Sequence, residues 1–145
     1  MTLISPLKTQ PSVLENTTIC EYQSQQNLNL ETIGQKFIDI AWAAGLFEGE
    51  GSIYFCNTLK RYITTLRMTD EDVVRKFFNI IQVGKVYGPY TPKGKKKNGE
   101  NYKDQWYWRC IKSSEVNSML KIFLPYLGKR RAVKTIEALS YENIS

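Results

Sequence analysis

Trp42-Ala43-Ala44-Gly45-Leu46-Phe47-Glu48-Gly49-Glu50-Gly51-Ser52 is the stretch whose reading decides this chain. Small and apolar residues run from Ile38 to Phe47 at helical spacing, and a strand-like run, Ile53-Tyr54-Phe55, follows at once. Two glutamates two residues apart sit among three glycines at the junction. Gly51 is a good residue for the left-handed turn that closes a helix. Glu50 would then lie at the C-terminal end of that helix, where the backbone dipole already carries partial negative charge. An acid held where it costs energy points to a cation nearby. The plain alternative is a solvated carboxylate beside a glycine cap.

Outward from this junction, composition narrows the chemistry. The 145 residues make one domain of ordinary size. No apolar run has the length of a membrane span and no basic-then-apolar leader is seen, so an intracellular protein (cytoplasm or organelle matrix) is expected. Cys20, Cys56 and Cys110 are odd in number and far apart, which argues for reduced thiols without a structural metal. Histidine does not occur at all, which removes histidine bases and His-activated nucleophiles together. Hydrolysis here must rest on carboxylates, lysines and metal-bound water. No small-molecule cofactor motif is seen.

Residues 1–35, polar and with Pro6 and Pro11, read as a flexible N-terminal arm, and 36–145 as the functional domain. Setting aside Lys8, Glu15, Glu21 and Glu31 from the chain's 20 basic and 14 acidic residues leaves 19 basic and 11 acidic, a surplus of +8. A small domain with that surplus is a candidate polyanion binder.

A helix is predicted from about 37 to 49, then a hairpin with strands near 52–58 and 61–68 around Leu59-Lys60. Alternation puts Tyr54 on one face of the first strand, with Ile53 and Phe55 on the other; Arg61, Ile63, Thr65 and Arg67 share a face of the second. Thr69-Asp70-Glu71-Asp72 is a helix start, and Val73, Val74, Phe77, Phe78, Ile80 and Ile81 give its apolar stripe. A second hairpin follows, near 84–90 and 103–112, carrying Pro92 to Gly99 with Lys95, Lys96 and Lys97 as a mobile basic loop. Its last strand alternates Gln105, Tyr107 and Arg109 against Trp106, Trp108 and Cys110. Ser113 or Ser114 caps a third helix ending before Pro125, and a final helix from 128 to about 140 turns Val133, Ile136 and Leu139 inward. The order is α-β-β-α-β-β-α-α, an α+β fold with an antiparallel sheet.

Residues 43–51 resemble the signature of the LAGLIDADG homing endonucleases. The glycines at its third and ninth positions, Leu46, and acids at the sixth and eighth all match. Ala43 replaces the usual leucine and both acids are glutamate, as in the "GLFEGEGS" branch. Met68 to Val74 and Leu124 to Arg131 also look like segments of that branch, so the resemblance covers about 36–142. It implies one half of a saddle-shaped fold and a homodimer, because the motif occurs once. It also implies sequence-specific, double-strand DNA cleavage with Mg²⁺, leaving short 3′ overhangs, and an intron-encoded origin. On that resemblance Glu50 is the catalytic, metal-binding acid and Glu48 supports the helix end. Asp70 positions water and Lys129 is the active-site lysine. The spacing from Leu127 is one residue shorter than in many relatives, which leaves Arg130 and Arg131 as alternatives for that place. Ala44, Gly45, Glu48 and Gly49 would face the second copy. Tyr54, Arg61, Thr65, Arg67, Gln105, Tyr107 and Arg109 would face the DNA groove, and Lys95, Lys96, Lys97 and Arg130 the backbone. Mg²⁺ takes few carboxylates and keeps several waters, so one acid per subunit suffices if phosphates complete its shell. Two rivals stand beside this: a nucleic-acid-binding protein of the same fold without cleavage, such as an intron maturase or regulator, and an adaptor domain using its basic face on an acidic protein.

Overall fold

The computed structural model describes the backbone of residues 13–142 and the side chains of residues 30–141. Two units are distinguished, 1–37 and 38–145. Within the first, the described residues are helical, and side chains 30–37 are all exposed. They belong to α1, Val13–Glu50. The helix therefore begins well before residue 37, where sequence placed its start. The polar composition of this stretch reads as an arm, yet no proline occurs from 12 to 88 and its Glu, Gln and Leu residues are good helix formers. Residues 1–12 of the expected arm lie outside the described residues.

The second unit holds the sheet. After α1 come β1 (Gly51–Cys56), β2 (Arg61–Met68), α2 (Glu71–Ile81), β3 (Lys85–Tyr90) and β4 (Gln105–Cys110). Then follow α3 (Ser113–Phe123), a 3-10 turn (Leu124–Tyr126) and α4 (Lys129–Glu142). The element order is as expected, and the strands form one antiparallel sheet in the order β1-β2-β4-β3.

Alternation along each strand sends one set of side chains into the core and the other onto an open face. Ile53, Leu66, Trp108 and Cys110 go inward. They meet Phe47 of α1, Phe77 of α2 and Phe123 of α3, whose ring centroids lie 5.6 to 6.5 Å apart. Trp108 packs edge-on against Phe77 at 5.0 Å and donates its indole N–H to the Val83 carbonyl at 2.7 Å. Phe47 thus pins the last turn of α1 to the centre of the core. Cys110 is buried beside Glu115; burial first, and the neighbouring carboxylate second, push its thiol up to about 12. Cys56 is also free, and Cys20 lies outside the described side chains. No helix among the described residues is long and apolar enough to cross a membrane.

Three local expectations are corrected. Gly51 does not adopt a left-handed turn; it is the first residue of β1, and a Cβ there would lie 2.2 Å from Phe47 Cδ2. Glycine is required for space, because the strand leaves the helix directly over the Phe47 ring. Gly51→Ala should accordingly destabilise the fold by about 2 kcal/mol, the usual scale of overpacking, read as a lower urea midpoint at unchanged slope. The N-cap position of α3 falls on Lys112, with no side-chain cap, so neither Ser113 nor Ser114 caps it. On α4, Val133 and Ile136 are 60% and 53% exposed, whereas Thr135 and Ala138 are buried and Leu139 packs on the core. Contacts at its two ends set that rotation: Arg131 on Glu48, and Tyr141 against Phe55 and Tyr62.

Candidate active site and nucleic-acid interface

The strand register brings the chemistry-bearing residues to one end of the sheet. Gly51, opening β1, pairs with Leu66, and Met68, closing β2, pairs with Trp106 at the start of β4. Glu50 and Asp70 therefore flank the same end, while the β1–β2 turn at Leu59-Lys60 lies at the other. The first turn of α4 joins that end through Glu48. The Glu48 carboxylate accepts the Gly128 N–H at 3.1 Å and lies 3.8 Å from Arg131 Nε, which donates to the Glu48 carbonyl at 2.7 Å. A Cβ on Gly128 would come within 2.9 Å of Glu48 Oε1, so glycine lets the carboxylate approach.

Two charge placements that each oppose a helix dipole meet here. Glu48 sits at the negative end of α1, and Lys129, Arg130 and Arg131 crowd the positive end of α4. Glu48 and Arg131 answer one another, with the Glu48 carboxylate serving the α4 N-terminus as a cap. Glu50 gains no such compensation: it is exposed and makes no hydrogen bond or ion pair among the described residues. Asp70 occupies the N-cap position of α2 with extended backbone, but its carboxylate makes no capping hydrogen bond. Lys129 and Arg130 are likewise exposed and without a described partner, so of the three basic residues at this turn Arg131 is the one taken up structurally. Among the described residues no three His, Cys, Asp or Glu side chains converge on a possible metal position.

The open face of the sheet carries Tyr54 from β1, Arg61, Thr65 and Arg67 from β2, and Gln105, Tyr107 and Arg109 from β4. Ile63 shares this face opposite Tyr54, yet is fully buried. Tyr54, Thr65, Arg67, Tyr107 and Arg109 line a recess of about 310 Å³. Arg67 lies over the Tyr107 and Tyr90 rings at 5.6 and 6.0 Å, and Tyr87 stacks on Tyr107 at 5.0 Å. Arg109 Nη2 reaches the Tyr54 hydroxyl at 3.5 Å, while its buried Nε has no partner among the described residues. Arg61 stands apart from this recess, bonded to the Leu59 carbonyl at the far turn. Tyr87, Tyr90 and Lys85 of β3 were missed as members of the face. Their alternation against β4, with Tyr87 opposite Tyr107 and Lys85 opposite Arg109, is the signal that would have found them.

The basic loop between β3 and β4 is a hydrogen-bonded hairpin tip. Lys95 pairs across to Asn101, Gly99 N–H bonds the Lys96 carbonyl, and Thr91 bonds Asp104 at its base. Lys96 lies 3.7 Å from Glu100, which leaves Lys93, Lys95 and Lys97 as the loop's lysines without an ion pair among the described residues. On α1, Gly45 and Gly49 are exposed, and a Cβ at either would meet nothing within 4 Å. Ala44, expected to face a second copy, is instead fully buried in the chain's own core, one helical turn before Phe47 and Glu48. Glu48 faces α4, as described above.

No family profile matches the chain, and no curated protein matches it in sequence. Its fold is similar to the homing endonuclease I-CvuI in complex with its target in the presence of calcium, at TM-score 0.53 and 19% identity, over 73% of this chain and 66% of that one. A second structure, I-CvuI with the I-CreI target in the presence of magnesium and the DNA not cleaved, gives TM-score 0.52 and 19% identity, with the same coverage of 73% and 66%. The archaeal intron-encoded homing endonuclease I-Vdi141I complexed with DNA matches at TM-score 0.45 and 14% identity, over 74% and 66%. The chain thus spans just under two thirds of the I-CvuI chain. Four helices on one antiparallel four-stranded sheet, with an arginine- and tyrosine-bearing face left open, give this chain the half-saddle fold of homing endonucleases solved on DNA.

Proposed function

We propose that this protein is a sequence-specific, double-strand DNA endonuclease working as a homodimer with a divalent metal. The observation that carries this reading is Glu50, an exposed carboxylate without a partner among the described residues, at the end of the sheet that Asp70 also flanks and two residues after Glu48, which contacts the start of α4. A carboxylate is a suitable hard oxygen donor for Mg²⁺, and a single one per chain suits an ion completed by phosphate oxygens, water and the second copy's Glu50. When bound there, the metal would neutralise charge at the scissile phosphate and lower the pKa of a coordinated water. Asp70 would orient water, Lys129 or Arg130 would face the phosphate, and Glu48 would hold the α4 turn in place. Tyr54, Thr65, Arg67, Gln105, Tyr107 and Arg109 would enter the major groove, arginine reading guanine and glutamine reading adenine. The test is cleavage of the DNA flanking the protein's own gene. Paired cuts that leave short 3′ overhangs with Mg²⁺, and none in EDTA, are expected. Binding without cutting would leave the maturase or regulator reading; no binding to nucleic acid would sink both.

The hairpin tip makes a separate prediction. Neutralising Lys95, Lys96 and Lys97 together should flatten the slope of log affinity against log salt. The change should reach up to about one unit, per subunit, for each phosphate that the tip ceases to neutralise. Because Lys96 is shared with Glu100, most of the change should come from Lys95 and Lys97. An unaltered slope would mean that the tip does not touch the DNA backbone. Arg109→Ala should instead change base preference at one position of the site.

A further inference from the structure

β3 is an outermost strand of the sheet, and its ladder with β4 slips by one residue. Tyr87 lies opposite Tyr107 and Tyr90 opposite Gln105, so three steps along β3 match two along β4. Residues three apart in a regular strand point to opposite faces; the extra residue turns Tyr90 back to the side of Tyr87. Gly88 carries this bulge, at a φ of 144° and where a Cβ would lie 2.7 Å from the Trp106 ring. The consequence falls on Arg67, which stands opposite Tyr107 in the neighbouring ladder. Its guanidinium lies 5.6 Å from the Tyr107 centroid and 6.0 Å from that of Tyr90, and Tyr87 backs Tyr107 at 5.0 Å in a near-parallel stack. Arg67 is exposed and makes no hydrogen bond or ion pair among the described residues. Rings act on the charge and plane of a guanidinium and leave its N–H donors unspent. A carboxylate partner, such as Glu71 is for Arg75, consumes them instead.

Resting on the DNA-binding reading above, we infer that Tyr90 is a positioning residue, placed by the bulge in β3 to hold Arg67 with its donor edge free for a base pair. Tyr90 acts through Arg67 and carries no charge of its own. A mobile arginine loses rotamer freedom when it binds; one already held between two rings loses less. That saving reaches the complex only where the held orientation lets two donors meet one base, so it sharpens the choice of base more than it raises affinity for DNA at large. Base preference at the position read by Arg67 thus depends on a side chain of the edge strand that makes no contact with the base.

Two measurements on the full chain test this. In the free protein, the Arg67 side-chain proton resonances should be shifted by the rings, and Tyr90→Leu should shrink that shift while Tyr90→Phe keeps it. In EDTA, a pool of DNA duplexes with a randomised stretch reads base preference. Arg67→Ala should lose roughly tenfold in preference at one base pair. Tyr90→Leu should lose about two- to fivefold at that same base pair, the scale of an exposed cation–π contact, and Tyr90→Phe should restore it. The salt slope should not move, because no charge is removed. In an Arg67→Ala background, Tyr90→Leu should add nothing at that base pair. Tyr90 is exposed, so folding is not at issue. An Arg67 shift that ignores Tyr90→Leu would overturn the clamp. So would a shrunken shift with base preference intact. A further loss in the Arg67→Ala background would make Tyr90 a base contact and overturn the positioning role. A wild-type chain that binds no duplex, or all of them equally, would fell the sequence-specific reading and the positioning role with it, and the resonance shift in the free protein would show whether the clamp exists apart from that failure.

Discussion

Glu50→Gln is expected to abolish cleavage while leaving DNA binding intact. The substitution keeps the shape and the hydrogen-bonding capacity of the side chain and removes the charge that would hold a metal ion. A bound metal contributes several kcal/mol to charge stabilisation in phosphoryl chemistry, so the loss should be roughly a thousandfold or more. Affinity for target DNA in EDTA should hold or rise, because a carboxylate facing phosphates is relieved of its charge. No fold cost is expected, since Glu50 is exposed and has no partner among the described residues. Removal of an acid from a helix C-terminus should even be mildly stabilising.

Glu48→Gln, two residues earlier, should behave in the opposite sense. It retains an acceptor for the Gly128 N–H but loses its charge against Arg131 and against the N-terminus of α4. A stability loss of about 1 kcal/mol is expected, with a smaller effect on the chemical step. Cleavage and thermal unfolding of the two variants, measured side by side, separate the roles. Full activity in Glu50→Gln would remove the proposed mechanism altogether.

Gly45→Leu should convert a dimer into a folded monomer without cleavage activity. The proposed pairing of motif helices needs close backbone approach, and small residues at positions 45 and 49 permit it. A Cβ at Gly45 would meet nothing within 4 Å among the described residues, and the position is exposed and helical. Leucine should therefore favour the isolated helix by up to about 1 kcal/mol relative to glycine. Loss of the dimer could not then be blamed on misfolding, which circular dichroism would verify. Light scattering at micromolar concentration reads the outcome. A wild-type monomer that still cuts both strands, or a Gly45→Leu dimer of normal stability, would rule out this interface.

Much of the architecture was legible from residue order. Period-two alternation in Arg61 to Met68 and Gln105 to Cys110 identified strands with one apolar face, and the helical spacing of Val74 and Phe77 or of Val116, Leu120 and Phe123 identified buried stripes. Those signals are local, because a backbone's period is imposed on its own side chains. The closed histidine routes and the basic surplus followed from composition for the same reason, being sums over residues. The positions of Glu48, Gly51, Ala44 and Val133 were not legible in this way. Each depends on something distant in sequence: Glu48 on Gly128 and Arg131, Ala44 on the core beneath the sheet, and Val133 on the contacts that set the rotation of α4. Gly51 depends on the rotamer of a ring four residues back, which the core fixes. Sequence by itself determined the order of the elements and the chemistry at hand, but not where α1 begins. Only the tertiary structure decided which of two neighbouring glutamates is consumed by a helix end and which is left free, because that choice rests on where a second helix begins in space.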